Sequence, residues 1–170
     1  DEAAGRRAMD EALALVDGLA DHPSGRLSGM IAPAQIDTCT AELIRDSYAA
    51  ARERGLSMQI HAAQSVVEFH ELTRRLGLTA VQWLDQLGVL GPDTVIGHGI
   101  FFDHHTSTHW PRTGDLARVV DTGTAVAHCP TVFQRRGIAM QTLGRYRREG
   151  VRIGIGTDTY PHDFLAELRV

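Results

Sequence analysis

Short apolar segments alternate with amphipathic segments along almost the whole chain, and this alternation restricts the possible folds more than any other feature. Five segments have the length and apolar character of strands: residues 27–33, 57–62, 93–100, 124–130 and 151–158. Helices are predicted over residues 11–21, 40–55, 65–77, 79–91, 113–123, 138–150 and 163–170. Because the strands are apolar on both faces and are joined through helices, they predict a parallel α/β sheet covered by helices.

Two architectures contain such a sheet: an open doubly wound sheet and a (β/α)8 barrel, of which this chain would form part. No Gly-x-Gly-x-x-Gly sequence follows the first strand, which disfavours the nucleotide-binding form of the open sheet. The length of 170 residues fits one domain with a sizeable core.

Charge and composition exclude several classes of partner. The net charge of −4 provides no basic surface for nucleic acid or for an anionic membrane. No apolar run reaches the roughly 18 residues that a membrane span needs, and the charged first residues do not form a signal peptide. The two cysteines, Cys39 and Cys129, form no Cys-x-x-Cys motif, which favours a reducing, cytoplasmic location.

Successive strands end in side chains that bind metals or transfer protons. The second strand ends at His61, the third at His98, the fourth at His128 and the fifth at Asp158. The carboxyl ends of parallel strands share one edge of the sheet, where α/β proteins build their sites. A single histidine at a strand end is more often a structural hydrogen-bonding residue, but His61 together with Asp158 in this arrangement favours a metal site.

Imidazole and carboxylate groups suit one divalent ion, with zinc first and iron, cobalt or manganese as alternatives. An open coordination position would lower the pKa of a bound water towards about 7. Asp158, beside that water, could take its proton and pass it to a leaving group. The pattern therefore predicts a metal-dependent hydrolase.

Four segments resemble the successive barrel-strand motifs of the amidohydrolase superfamily: IHAAQS, VIGHGI, VAHCP and IGIGTDTYPHDF. The closest likeness is to its metal-dependent deaminase, chlorohydrolase and amide-hydrolase branch, which includes enzymes that degrade s-triazines. The resemblance implies a distorted (β/α)8 barrel and a homo-oligomer. It also implies that His61, His98 and Asp158 are metal ligands, that His98 can polarise a substrate carbonyl, and that Asp158 shuttles protons. His128 matches a histidine near the site that is usually not a ligand.

The chain departs from the family pattern in its first half. Enzymes of this superfamily carry a His-x-His pair on the first barrel strand, and the only histidine here before His61 is His22. The five strands would then be barrel strands four to eight. We therefore expect residues 1–170 to form a single partial barrel domain that lacks the first strands, with the N-terminal barrel segment of the same enzyme as its partner.

The second departure is Gln64, three residues after His61. In aromatic deaminases of this superfamily a glutamate at this point shuttles protons, whereas an amide donates and accepts hydrogen bonds but does not titrate. Gln64 therefore favours hydrolysis of a non-peptide C–N bond in an amide, urea or carbamate (or the C–S bond of a thiocarbamate). The alternatives are deamination or dechlorination of an N-heterocycle such as a triazine, pyrimidine or purine, and a non-catalytic barrel that has lost its metal. Gln64 could instead satisfy a local amide at the helix start.

The loop after the third strand, FFDHHTSTHW, contributes further candidates. His104 and His105 are adjacent, so they lack the alternating spacing that points two strand side chains inwards, and a pocket or surface role is favoured over metal ligation. Phe101 could form an apolar wall or pack in the core. The residues expected to contact the small-molecule substrate are Gln64, Phe101, His104, His105 and His128. The sequence FQRRG at 133–137 could contact an anionic group, but a solvated loop is the favoured interpretation.

Overall fold

A four-stranded parallel sheet forms the centre of the protein in a computed structural model that describes residues 2–19, 21–160 and 162–170. Its strands are β1 (Met58–Ala62), β2 (Thr94–His98), β3 (Ala125–His128) and β4 (Arg152–Ile155). Their spatial order follows the sequence, and every neighbouring pair is parallel. A doubly wound sheet reverses its strand order at a switch point. These four strands show no reversal, so the predicted parallel α/β sheet is confirmed, with its strands in sequential order.

Eight helices surround the sheet within the described residues: α1 (Glu2–Leu19), α2 (Ala41–Glu53), α3 (Val66–Leu76), α4 (Ala80–Gln86), α5 (Asp115–Thr122), α6 (Pro130–Gln134), α7 (Leu143–Glu149) and α8 (Phe164–Glu167). Local sequence explains several of their ends. The hydroxyl of Thr40 accepts a hydrogen bond from a backbone N–H of the first turn of α2, and Thr79 forms a capping box at α4. Gly77 ends α3 in the left-handed conformation.

The segment predicted as the first strand, 27–33, pairs with β1 only through isolated bridges. Ile31 lies opposite Met58 and Gln35 lies opposite His61. Gln35 comes four residues after Ile31, whereas His61 comes three residues after Met58, so this segment contains one extra residue that bulges out between the two bridges. Pro33 lies in that interval and has no N–H to donate to a ladder. The prediction of a continuous strand here is therefore wrong, although the chain does follow β1.

Some helices differ from their predicted lengths. The first predicted helix, 11–21, is the second half of the longer α1, and its residue 20 lies outside the described residues. The helix predicted over 138–150 begins only at Leu143, because the preceding residues pack in the core or accept hydrogen bonds from distant side chains. Pro130 opens an additional short helix, α6, at a position where its missing N–H has no consequence.

The core lies between the sheet and the helices that cover it. Ile60, Ile96 and Val126 are the central buried residues of three adjacent strands and belong to one cluster with side chains from α3, α4 and α5. No helix in the described parts of the chain is long and apolar enough to cross a membrane. Cys39 and Cys129 are both free thiols.

Candidate active site

The carboxyl ends of the strands bring four of the predicted residues to one cleft. His61 is the second-to-last residue of β1, His98 is the last residue of β2, and Asp158 lies three residues after the end of β4. Two adjoining spaces of about 260 and 320 Å³ open at this edge, and Gln64, His98 and Asp158 line both of them, while His61 lines the first. We refer to the two spaces together as the strand-end cleft.

Main-chain hydrogen bonding fixes the orientation of His61. Its Nδ1 lies 2.6 Å from the carbonyl oxygen of Ala34, which also accepts the backbone N–H of His61 at 3.3 Å. Because a carbonyl oxygen only accepts, Nδ1 carries the proton, and the Nε2 lone pair remains available for a cation or a proton. A second hydrogen bond of this kind is the usual support of a metal-binding imidazole.

His98 is almost fully buried, and the ring of His61 stacks on it with centroids 5.1 Å apart. Burial lowers the pKa of His98 to about 4; His61 and His128 act in the same direction, and the nearby carboxylate of Asp158 opposes them. His98 is therefore neutral at pH 7. Its buried Nδ1 has no hydrogen-bond partner among the described residues.

Asp158 is exposed at the mouth of the cleft and adopts a left-handed backbone conformation with φ of 58°. His98 does the same with φ of 76°. Non-glycine residues adopt this conformation at a cost of roughly 1–2 kcal/mol each, and such positions concentrate at functional sites. Both residues therefore lie at sharp turns that end their strand segments beside the cleft.

The donor set of the cleft fits a divalent cation in kind. Imidazole nitrogens and one carboxylate are ligands that zinc, iron, cobalt and manganese share, and neutral His98 has the protonation state that a ligand requires. However, no three His, Cys, Asp or Glu side chains in the described residues come close enough together to hold an ion between them. The structure thus brings the predicted ligands to one cleft without closing a complete coordination site.

Gln64 reaches the cleft from the turn between β1 and α3. Ser65, and not Gln64, caps α3, since its hydroxyl accepts the backbone N–H of Glu68 at 3.0 Å. The side-chain amide of Gln64 forms no hydrogen bond with any of the described residues, which disfavours the alternative that it satisfies a local amide. It is therefore free to contact a bound molecule.

His128 ends β3 but does not line the strand-end cleft. It is buried beside a different cavity of about 440 Å³, which Glu167 also lines. Burial lowers its pKa, opposed by the backbone of His98 and the charge of Glu167. This position agrees with a residue near the site that is not a ligand, and it does not support the predicted contact with substrate.

Phe101, His104 and His105 are buried in the interior and do not line the cleft. The Nε2 atoms of His104 and His105 lie 3.2 and 3.1 Å from the carbonyl oxygens of Gln141 and Ala139, respectively. The ring of Phe101 packs on that of His105. These residues tie the loop after β2 to the segment before α7, so their placement argues against the predicted role in a substrate pocket.

Several further residues line the cleft. Ala34 and Gln35 line it from the interrupted first strand, Phe133 lines it from α6, and Arg136 lines it from the turn after α6. Arg136 belongs to the FQRRG segment, which had been interpreted as a solvated loop. The placement of α6 against the site brings it there, and no local pattern in the sequence indicates that placement.

Comparison with known proteins gives a consistent assignment. The model of the amidohydrolase family matches residues 2–169. A 5-methylthioadenosine/S-adenosylhomocysteine deaminase from Archaeoglobus fulgidus is 27% identical over 158 residues, which are 93% of this chain and 36% of that protein.

Two solved structures share the fold at 19% identity. A triazine hydrolase from Arthrobacter aurescens has a TM-score of 0.76, and a zinc-bound adenosine deaminase from Xanthomonas campestris has one of 0.75; each match covers 90% of this chain and 32% of the other. The chain thus spans about a third of the length of these proteins. The chain belongs to the amidohydrolase family.

Proposed function

We propose that this chain supplies the C-terminal strands of a (β/α)8 barrel in a metal-dependent hydrolase that cleaves a C–N bond of a small molecule. The observation that carries the proposal is the convergence of His61, Gln64, His98 and Asp158 on one cleft at the carboxyl edge of a parallel sheet. Barrel enzymes place their active sites at this edge.

The two ends of the sheet support the barrel. Among the described residues, the outer edge of β1 forms only isolated bridges and no strand pairs with the outer edge of β4, which has two of its four residues exposed. Large apolar side chains are exposed near both ends of the chain: Leu15, Leu27, Met30, Phe164, Leu165, Leu168 and Val170. Unpaired edges and exposed apolar groups are what a barrel covers when it closes. The remaining barrel strands are the partner that this surface fits.

In this proposal His61, His98 and Asp158 hold one divalent ion, with zinc favoured because the adenosine deaminase of the same fold contains it. The bound ion would supply a water of lowered pKa as the nucleophile. His61 is held in the required tautomer by Ala34. His98 is neutral, so one ring nitrogen has a lone pair with which it can bind the ion. The exposed carboxylate of Asp158 can accept a proton from water and return it to the departing nitrogen.

Gln64 bears on which C–N bond is cleaved. Deamination of a heterocycle needs a proton delivered to a ring nitrogen, and an amide at this position cannot supply one. Hydrolysis of an amide, urea or carbamate carbonyl requires only polarisation of the carbonyl and protonation of the leaving nitrogen. The free Gln64 amide in the cleft therefore favours hydrolysis at a carbonyl carbon.

A second candidate is a deaminase of an amino-substituted heterocycle. The curated relative from Archaeoglobus fulgidus and one from Methanothermobacter thermautotrophicus, 28% identical over 83% of this chain, are both named as deaminases of adenosine derivatives. This observation favours nucleoside-like substrates. A third possibility is a non-catalytic barrel without metal, which elemental analysis of the purified protein would reveal.

The test uses the whole protein and a panel of adenosine nucleosides, guanine, chlorotriazines, phenylureas, carbamates and thiocarbamates. Release of an organic amine supports the first candidate, and release of ammonia supports the second. A Gln64→Glu variant adds the missing acid, so a deaminase should gain about 10²–10⁴-fold in rate, whereas a carbonyl hydrolase should not gain. Elemental analysis should give about one divalent ion per barrel and a loss of that ion in His61→Ala; no ion in the parent protein would refute the metal-dependent hydrolase.

A further inference from the structure

A buried carboxylate lies directly beneath the cleft and has no part in the chemistry proposed above. Glu68, in the first turn of α3, is 2% exposed. Its Oε1 accepts the backbone N–H of Ala63 at 2.6 Å, and its Oε2 accepts that of Gln64 at 3.3 Å. Burial raises the pKa of Glu68 to about 7; the two backbone hydrogen bonds lower it, and the charge of Asp37 raises it further. Burying such a group is costly unless hydrogen bonds compensate for the lost water, and two backbone N–H groups supply them here.

The turn that Glu68 holds is strained. Ala63 has φ of 55°, a left-handed conformation that alanine adopts at a cost of roughly 1–2 kcal/mol. All of its backbone polar groups are engaged, because its carbonyl oxygen accepts the N–H groups of Ile100 and Phe101, both at 2.8 Å. The conformation persists because hydrogen bonds at both sides of the residue specify it.

These same hydrogen bonds connect the turn of Gln64 to the turn of His98. The carbonyl oxygen of Ala62 accepts the N–H of Gly99 at 3.2 Å, next to the left-handed His98. A chain of direct contacts therefore runs from the Glu68 carboxylate through Ala63 to the turn after β2. His61, by contrast, is oriented by Ala34 and lies outside this chain of contacts.

We propose that Glu68 is a positioning residue of the active site, which holds the 62–64 turn and, through Ala63, the 98–101 turn, so that Gln64 and His98 face the cleft together. The inference rests on the proposed hydrolytic function for its kinetic consequence and on geometry alone for its structural consequence. Only a side chain with two acceptor oxygens can accept hydrogen bonds from both the Ala63 and the Gln64 N–H groups. In Glu68→Gln the side-chain NH₂ would face one of these N–H groups, which would then have no acceptor.

The experiment compares Glu68→Gln with Glu71→Gln in the whole protein. Glu71 lies three residues further along α3, is partly exposed and pairs with Arg74 at 2.9 Å, so it controls for the loss of a carboxylate on the same helix. We expect kcat to fall about 10- to 100-fold in Glu68→Gln, the range that a displacement of about 1 Å produces, with KM changed less than threefold. Glu71→Gln should retain the kcat of the parent protein.

Backbone amide exchange provides a readout that needs no substrate. In Glu68→Gln the amides of both turns, 62–64 and 98–101, should exchange at least tenfold faster, while those of the buried strand β2 before His98 remain protected. If Glu68→Gln does not fold, Glu68→Asp keeps the charge but is one methylene too short to reach both N–H groups, and the same two measurements apply. Exchange that is unchanged at the turns, or faster only within α3, would overturn the inference. An unchanged kcat in an active enzyme would also overturn it.

An inactive parent protein would refute the proposed function, whereas the exchange result would still decide the role of Glu68. The two failures are therefore distinguishable.

Discussion

Replacing Tyr146 by phenylalanine removes one hydroxyl from the interior and nothing else. Tyr146 is completely buried and is the one buried residue of α7. Its hydroxyl donates a hydrogen bond of 2.6 Å to the carbonyl oxygen of Gly99, the residue after His98. The ring packs on those of Phe102 and His104, with centroids 5.3 and 5.4 Å away. Burial raises the pKa of Tyr146 well above its usual value, so the hydroxyl keeps its proton and donates at all working pH values.

The magnitude follows from these contacts. Phenylalanine preserves the ring and its packing, so almost no apolar contact is lost. The Gly99 carbonyl, which is buried, loses its partner. A buried acceptor left without a hydrogen bond costs about 1–3 kcal/mol, and we expect the free energy of unfolding of Tyr146→Phe to fall by that amount.

Urea unfolding of the parent and variant proteins measures this difference, with Tyr160→Phe as the matched control. Tyr160 is 83% exposed, so its variant should stay within about 0.5 kcal/mol of the parent. Equal stabilities for Tyr146→Phe and the control would show that the Gly99 carbonyl does not depend on this hydroxyl, and would refute the reasoning.

Three further predictions concern strain, pH and capping. In urea unfolding, Gly99→Ala should destabilise the protein by about 1–3 kcal/mol more than Gly77→Ala. Both glycines have positive φ, but a Cβ at Gly99 would lie 2.8 Å from a methyl group of Val126, whereas a Cβ at Gly77 would meet open space. Because folding raises the pKa of Glu68, this residue should contribute to the free energy of unfolding fully below pH 4.5, and the contribution should be lost as the pH rises through about 7. The pH-dependent contribution is at most about 3 kcal/mol and should be absent in Glu68→Gln. Thr79→Ala should cost more than the ordinary cap variant Thr40→Ala, about 2 against about 1 kcal/mol, because Thr79 also donates a 2.7 Å hydrogen bond to a buried aspartate.

Each of these has a clear contrary outcome. Equal losses for the two glycine variants would show that the sheet moves aside at Gly99. A pH dependence between 4.5 and 7 that survives in Glu68→Gln would assign it to another group. Equal losses for the two threonine variants would mean that the aspartate hydrogen bond contributes nothing to stability.

The sheet and the strand-end residues could be predicted from sequence because both depend on local patterns. Continuous apolar runs identify buried parallel strands, and a histidine or aspartate at the end of each run must lie at the shared edge. His61, His98 and Asp158 therefore reach one cleft as expected, since parallel pairing fixes their relative position.

The interior placement of His104 and His105 could not be predicted in this way. Their partners are main-chain carbonyls 37 and 34 residues further along the chain. No periodicity reports such a contact, and histidines in a loop next to a site strand look the same whether they bind substrate or brace the loop. The late start of α7 has the same origin, because Met140 packs in the core instead of continuing a helical stripe.

The turn that carries Gln64 is built from groups that do not include the Gln64 side chain. The Glu68 carboxylate and the main chain of Ala63, Ile100 and Phe101 fix its shape. A substitution at position 64 can therefore change the group that faces the cleft while the hydrogen bonds that fix the turn stay intact. We therefore expect this position to accept different side chains without loss of the fold.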